Sequence, residues 1–177
     1  MNNREAALKI PYGTRDFLPA EAADKRRVES AIAAAFAAWG YDEVVTPTIE
    51  YIDNLTKGSE VVLEPHMFKL FDRDNRTLAL RHEMTTPIAR LAASRFKEAG
   101  LPLRLSYVSD VFRYEQAQTG RQCEFFQAGV ELMGSDNAAA DAEIIALAVK
   151  AIEAAGLDDF TVCLGQVDYV RAVLREL

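Results

Sequence analysis

Between Leu103 and Gly134 the chain reads as two strands joined by a polar loop. The first strand runs to about Glu115, the loop is Gln116–Cys123, and the second strand runs from about Glu124 to Met133. The second strand alternates with a period of two, the pattern of a half-buried strand. Phe126, Ala128, Val130 and Leu132 share the face assigned to the core, and Phe125, Gln127, Gly129 and Glu131 share the other. On the first strand Arg113 and Glu115 share a face. Pairing as a hairpin sets a cation and several acceptors over one patch of sheet. Gly129 is expected to leave room there for a ligand to approach the backbone.

Helical spacing dominates elsewhere. Val28, Ile32, Phe36 and Trp39 fall on one face of a helix predicted over Ala20–Trp39, with Gly40 as its stop. Glu43–Thr46 reads as a short strand ended by Pro47, and Ile49–Val61 as a short helix and a loop. Met67–Phe71 and Thr77–Leu80 form a second hairpin around the polar turn Asp72–Arg76. Thr85 or Thr86 caps the next helix, with Pro87 in its first turn. Ile88, Leu91, Ala92 and Phe96 form the apolar face of that helix, which ends at Gly100. Ser135, Asp136 and Asn137 offer caps for a helix over about Ala138–Ala155. A strand at Phe160–Leu164 and a helix at Val167–Leu177 complete the chain, and Met1–Lys9 reads as loose.

With 177 residues, half of them hydrophobic, the chain can bury a core of its own. No apolar run is long enough to span a bilayer, and the N-terminus has no signal-peptide pattern, so a cytoplasmic location is expected. The net charge of -7 argues against nucleic acid as the main partner. Cys123 and Cys163 form no metal spacing, and no metal site or cofactor is expected.

The side chains of the hairpin suit a ligand site. Arg grips phosphate or carboxylate with two donors. Gln and Glu accept from an ammonium group, and Phe covers a flat ring. A solvated hairpin face accounts for the alternation equally well. Glu83, at a strand-to-helix junction, suits either a ligand or the helix N-terminus.

The run Phe112-Arg113-Tyr114-Glu115-Gln116-Ala117-Gln118-Thr119-Gly120-Arg121-Gln122-Cys123-Glu124-Phe125-Phe126-Gln127 resembles motif 2 of the class II aminoacyl-tRNA synthetases in its histidyl form. Gln116, Ala117 and Cys123 stand where that motif has Arg, Pro and Arg. The continuation Gln127–Gly134 and the run Leu164–Val167 look more like a sister family, the regulatory subunits of ATP phosphoribosyltransferase. Leu80-Arg81-His82-Glu83-Met84-Thr85 mixes the two, with the synthetase's Glu83 and the regulatory subunits' Met84. The long helix leading to Pro47 is similar to motif 1, which builds a homodimer interface in that superfamily.

The resemblance implies an α+β fold, a class II synthetase-like antiparallel sheet flanked by helices. Residues 1–177 are expected to form the N-terminal part of that catalytic-type domain, truncated after its first half, with no separate second domain. It implies a non-catalytic regulatory subunit of a glycosyltransferase complex. Such a subunit joins the short catalytic subunit of ATP phosphoribosyltransferase, supports the first step of histidine biosynthesis and confers feedback inhibition by histidine. The alternative is a histidine–tRNA ligase. Histidine is expected at Glu83, Gln127 and Glu131. A remnant nucleotide site is expected at Arg113, Glu115, Arg121 and Phe125, with no catalytic residue and with self-association through Ala20–Pro47. The ammonium group of histidine is expected between the three; Gln127 and Glu131 lie about 13 Å apart along an extended strand, so they serve it only if the strand bends or they flank the ligand, with Glu83 completing the cup. The alternative is that Glu131 pairs with a nearby Arg such as Arg104 and no ligand is involved.

Overall fold

A computed structural model describes residues 8–57, 64–114 and 122–175. Helix α1 (Pro19–Ala38) starts with Pro19, whose fixed φ suits a first turn, and the Glu21 carboxylate accepts from the Leu18 N–H at 3.0 Å. It ends at Gly40, whose φ of +81° favours glycine. The predicted face is correct at Ile32 and Phe36, which pack into a cluster with Tyr41, Leu147 and Ala151. Trp39 lies just past the helix and is 37% exposed.

The chain then enters β1 (Asp42–Glu43), earlier and shorter than the predicted Glu43–Thr46. Strand β1 runs parallel to β5 (Leu103–Phe112), with Asp42 opposite Leu105. The expected antiparallel sheet is therefore mixed at this edge. Its other pair is antiparallel: β5 and β6 (Glu124–Met133) form the predicted hairpin over their full length. The ladder closes at Phe112 and Glu124, short of the predicted strand end at Glu115, which lies outside the described residues.

A second sheet has the order β2–β4–β3, with β2 at Ile49–Tyr51, β3 at Lys69–Phe71 and β4 at Thr77–Leu80. Residues 49–51 were expected to begin a short helix and loop. Pairing with β4 makes them a strand, and the helix α2 (Ile52–Thr56) follows. Leu55 of α2, Met67 and Ala79 of β4 form the small core of this layer. Arg81 ties the two sheets together. It is 4% exposed. Its guanidinium donates to the Asp110 carbonyl at 2.8 Å, to the Thr46 carbonyl at 2.9 Å and to the Asp110 carboxylate. Its own backbone bonds Thr48 on one side and Phe112 on the other.

Helix α3 (Thr85–Arg95) covers one face of the first sheet, where Met84, Ile88, Leu105, Tyr107 and Val111 form a buried cluster. Neither threonine caps α3 through its side chain, contrary to expectation. Glu83 takes that role, because its carboxylate reaches the Thr86 N–H. The helix ends before Phe96, short of Gly100, and Phe96 still packs against the cluster. Helix α4 (Ala138–Ala154) covers the opposite face beside α1. Asn137 Oδ1 caps it, as expected, by accepting from the Ala139 and Ala140 N–H groups at 3.0 Å each. Burying Leu147 there is worth roughly 1.5–3 kcal/mol.

Two assignments fail for want of a partner. Phe160–Leu164 forms no strand, since it has no ladder among the described residues. Phe126, assigned to the core, is 42% exposed: the apolar cluster under α1 and α4 takes Val130 and Leu132 of β6, and α1 meets Phe126 with Lys25. Helix α5 (Val167–Arg175) forms as predicted within the described residues, with Val167, Val170 and Leu174 exposed.

Candidate functional site

The hairpin register decides which side chains meet. Leu105, Tyr107, Ser109 and Val111 stand opposite Glu131, Gly129, Gln127 and Phe125. Cross-strand partners share a face, and this is the face that α3 covers. The N-terminus of α3 comes to Glu131: Thr85 Oγ1 donates to Glu131 Oε1 at 2.8 Å. Two residues earlier, Glu83 accepts from the Thr86 N–H at 3.0 and 3.2 Å. The helix reading of Glu83 therefore holds. Its carboxylate caps a helix and also lies in the electrostatic field of Glu131.

That field shows in the titration of the group. Burial pushes the Glu131 carboxyl above its usual range, the Thr85 hydroxyl opposes this, and the Glu83 charge adds to it. The Tyr107 phenol is pushed up by burial, then by Glu131 and Glu83. Gln127 Oε1 is buried with no hydrogen-bond partner. An unmet buried acceptor costs about 1–3 kcal/mol, and a ligand N–H would offset that. Two carboxylates and an unmet acceptor on one face together favour a cationic, N–H-bearing ligand.

At the loop end of the hairpin, Arg113 Nε donates to the His82 carbonyl at 3.0 Å, and the guanidinium lies 5.0 Å from the Phe125 ring centroid. Arg113 and Phe125 thus come together as expected. Glu115 and Arg121 lie outside the described residues. His82 is buried beside them with Nδ1 unpartnered, and burial pulls its pKa down, with Glu83 opposing and Arg113 assisting.

One expectation and one alternative are corrected. Gly129 does not open a way to the backbone, because the Tyr107 ring fills that space: a Cβ at Gly129 would lie 2.5 Å from the phenol oxygen. Arg104 does not pair with Glu131. It stands opposite Leu132, on the other face, and holds Glu143 at 2.9 and 3.0 Å. Sequence reasoning missed Thr85 as a partner of Glu131, reading it only as a helix cap. It also missed Tyr107, which has the same strand parity as Arg113.

The reverse face of β6 carries other hollows. One of about 490 Å³ is lined by Phe17, Lys25 and Phe126, and Lys25 Nζ stands 3.6 Å from the Phe126 centroid while pairing with Glu29. An apolar groove of about 550 Å³ lies between α1, α4 and β6. Among the described residues, no three His, Cys, Asp or Glu side chains are grouped to hold a metal ion.

A family model described as histidyl-tRNA synthetase matches residues 13–177. The ATP phosphoribosyltransferase regulatory subunit of Moorella thermoacetica is 50% identical over 170 residues, covering 96% of this chain and 44% of that protein. Its counterpart from Symbiobacterium thermophilum is 48% identical over 176 residues, covering 99% of this chain and 44% of that protein. The chain thus spans under half the length of these curated relatives. Among solved structures, an ATP phosphoribosyltransferase regulatory subunit/histidyl-tRNA synthetase from Bacillus halodurans matches with a TM-score of 0.85 and 43% identity, over 96% of this chain and 43% of that one. Apo S. aureus histidyl-tRNA synthetase matches with a TM-score of 0.71 and 28% identity, over 85% of this chain and 35% of that one.

Proposed function

The chain belongs to the histidyl-tRNA synthetase family, and from that premise we propose that its protein is the regulatory subunit of ATP phosphoribosyltransferase. In this reading it joins the catalytic subunit, supports the first step of histidine biosynthesis and transmits feedback inhibition by histidine. The observation that carries the choice within the family is the identity of 50% and 48% to relatives of that name, against 28% to a synthetase. Two buried residues support it. Cys123, where the synthetase motif has Arg, is 1% exposed, and its N–H bonds the Gly13 carbonyl at 2.7 Å. A Cβ on Gly13 would lie 2.3 Å from Cys123 Sγ, so a guanidinium has no room on that side. Met84 fills the core beneath the carboxylates, where the synthetase motif has Gly.

Histidine is the proposed ligand, held over the sheet by Glu83, Gln127 and Glu131. Arg113 and Phe125, with Glu115 and Arg121, form the remnant nucleotide site. Residues 1–177 are read as one synthetase-like unit, working in the cytoplasm without a cofactor and without nucleic acid. Among the described residues no helix is long and apolar enough to cross a membrane.

The second reading, a histidine–tRNA ligase, is favoured by the stacking of Arg113 on Phe125, an arrangement suited to a nucleotide. Class II activation depends on charge stabilisation at the phosphates, and the loop lacks two of the motif's cations. Histidine-dependent exchange of pyrophosphate into ATP by the full-length protein separates the two readings. None is expected, and robust exchange would overturn the regulatory assignment.

A further inference from the structure

Before α1 the chain crosses the loop end of the β5–β6 hairpin. Residues 11–14 make a tight turn, in which the Thr14 N–H and hydroxyl both donate to the Pro11 carbonyl, at 3.3 and 2.8 Å. Gly13 holds the third position of that turn with a φ of +74°, a conformation that favours glycine. Its carbonyl accepts from the Cys123 N–H at 2.7 Å and from the Glu124 N–H at 3.3 Å. The Cys123 carbonyl in turn accepts from the Arg113 N–H at 2.8 Å, a bond that closes the base of the loop between them. Cys123 is buried there, and a Cβ on Gly13 would lie 2.9 Å from its backbone nitrogen.

A second attachment lies at Phe17. Its ring meets Phe126 edge to face at 5.9 Å, Arg15 stands 4.3 Å from the Phe17 centroid, and Lys25 of α1 stands over Phe126. Arg15 also pairs with Glu21 Oε1, and the other oxygen of Glu21 takes the Leu18 N–H at the start of α1. Little apolar surface is covered beneath this segment. Ile10, Tyr12 and Leu18 are exposed, and Arg15, Phe17 and Phe126 line two hollows of about 490 and 130 Å³. Segments with few buried apolar contacts open at lower cost than the whole fold.

We propose that residues 10–18 are a strap that opens as a unit of its own, and that its closure fixes the base of the loop between Arg113 and Cys123. The strap has two fastenings. Gly13 is the backbone one, seated against Cys123. The series Arg15, Phe17, Phe126 and Lys25 is the side-chain one. Glu21 serves both the strap and the first turn of α1, so the strap joins that helix to the loop base. Opening it exposes the Cys123 amide and thiol to solvent while the rest of the hairpin ladder holds.

The test uses the full-length protein under native conditions. Amide exchange is read by NMR, and alkylation of Cys123 by N-ethylmaleimide is read by mass spectrometry against the urea-unfolded chain. In the wild type, Cys123 alkylation at low urea should be nearly independent of urea, as a local opening exposes little surface. Gly13→Ala and Phe17→Ala should each speed Cys123 alkylation and exchange of the Cys123 and Glu124 amides at least about tenfold, leaving mid-ladder amides near Gly129 within about threefold. Arg15→Gln keeps most of the shape and should give a smaller rise of about threefold. Gly40→Ala is the control, since Gly40 also has a positive φ, +81°, with nothing near the site of its Cβ. It should lower the melting temperature without speeding Cys123 more than the mid-ladder amides. Should Gly13→Ala fail to fold, Phe17→Ala and Arg15→Gln decide. Cys123 alkylation that follows global unfolding in its urea dependence overturns the strap. So does a Phe17→Ala protein in which Cys123 stays within about twofold of wild type, or in which Cys123 and the mid-ladder amides speed up equally.

Discussion

Glu131 is the residue on which most of the site's electrostatics converge. Burial and Glu83 raise its carboxyl pKa, so the folded state binds that proton more tightly than the unfolded state does. Its contribution to stability is therefore present in acid and is lost as pH rises through the folded value. Glu131→Gln removes the charge and keeps the shape. At neutral pH the variant should melt slightly higher than wild type, and the gain should disappear toward low pH. Its histidine affinity should fall by about 1.5–3 kcal/mol, the range for a hydrogen bond to a charged group. Calorimetry on the full-length protein checks this, and unchanged affinity sinks the assignment. The shared face of Gln127 and Glu131 and the place of Glu83 at a helix start were legible beforehand, because strand parity and cap spacing are properties of the sequence. The position of Tyr107 was not, because it depends on which residue lies across the ladder.

At the scale of elements, two ion clusters hold the layers in place. Glu143 of α4 takes Arg104 of β5, and the Tyr41 hydroxyl donates to it at 2.7 Å. Arg104, then Tyr41, pull the Glu143 carboxyl down to about 2 from 4.5. A depressed carboxylate stabilises the fold above its unfolded value, and the effect is lost as pH falls through the folded one. Arg104→Met should therefore lower thermal stability at neutral pH and flatten its loss between about 4.5 and 2. Melts with the same pH dependence in both proteins would count against the cluster. Arg81 is the second tie, and it is nearly inaccessible. Arg81→Leu leaves Asp110 and two carbonyls without their donor and should cost on the order of 3 kcal/mol, read by urea denaturation. The long hairpin and the three longest helices could be read from periodicity. Strand β2 could not, since three residues carry no period and only pairing with β4 makes them a strand. Phe160–Leu164 erred the other way, having the composition of a strand and no ladder to join among the described residues.

For the whole molecule, the remaining expectation is assembly. The inner side of α1 is occupied by α4 and β6. Leu18 and Trp39 at its two ends, and Val45 before Pro47, stay exposed. A self-complementary patch closing on a twofold axis would cover them. Full-length protein at micromolar concentration should sediment as a dimer or larger, and a strict monomer refutes the interface. The Arg81 tie has a consequence at this scale too. Arg81 fixes one sheet to the other and stands two residues before Glu83 on the same run of backbone. Proteins open locally in cooperative units, and a swing of the β2–β4–β3 layer would pull on the backbone that carries Glu83 and Thr85, the residue bonded to Glu131. With histidine bound as proposed, ligand occupancy and attachment of that layer would share one equilibrium. Bound histidine should then slow amide exchange in β4, which carries none of the three proposed ligand residues.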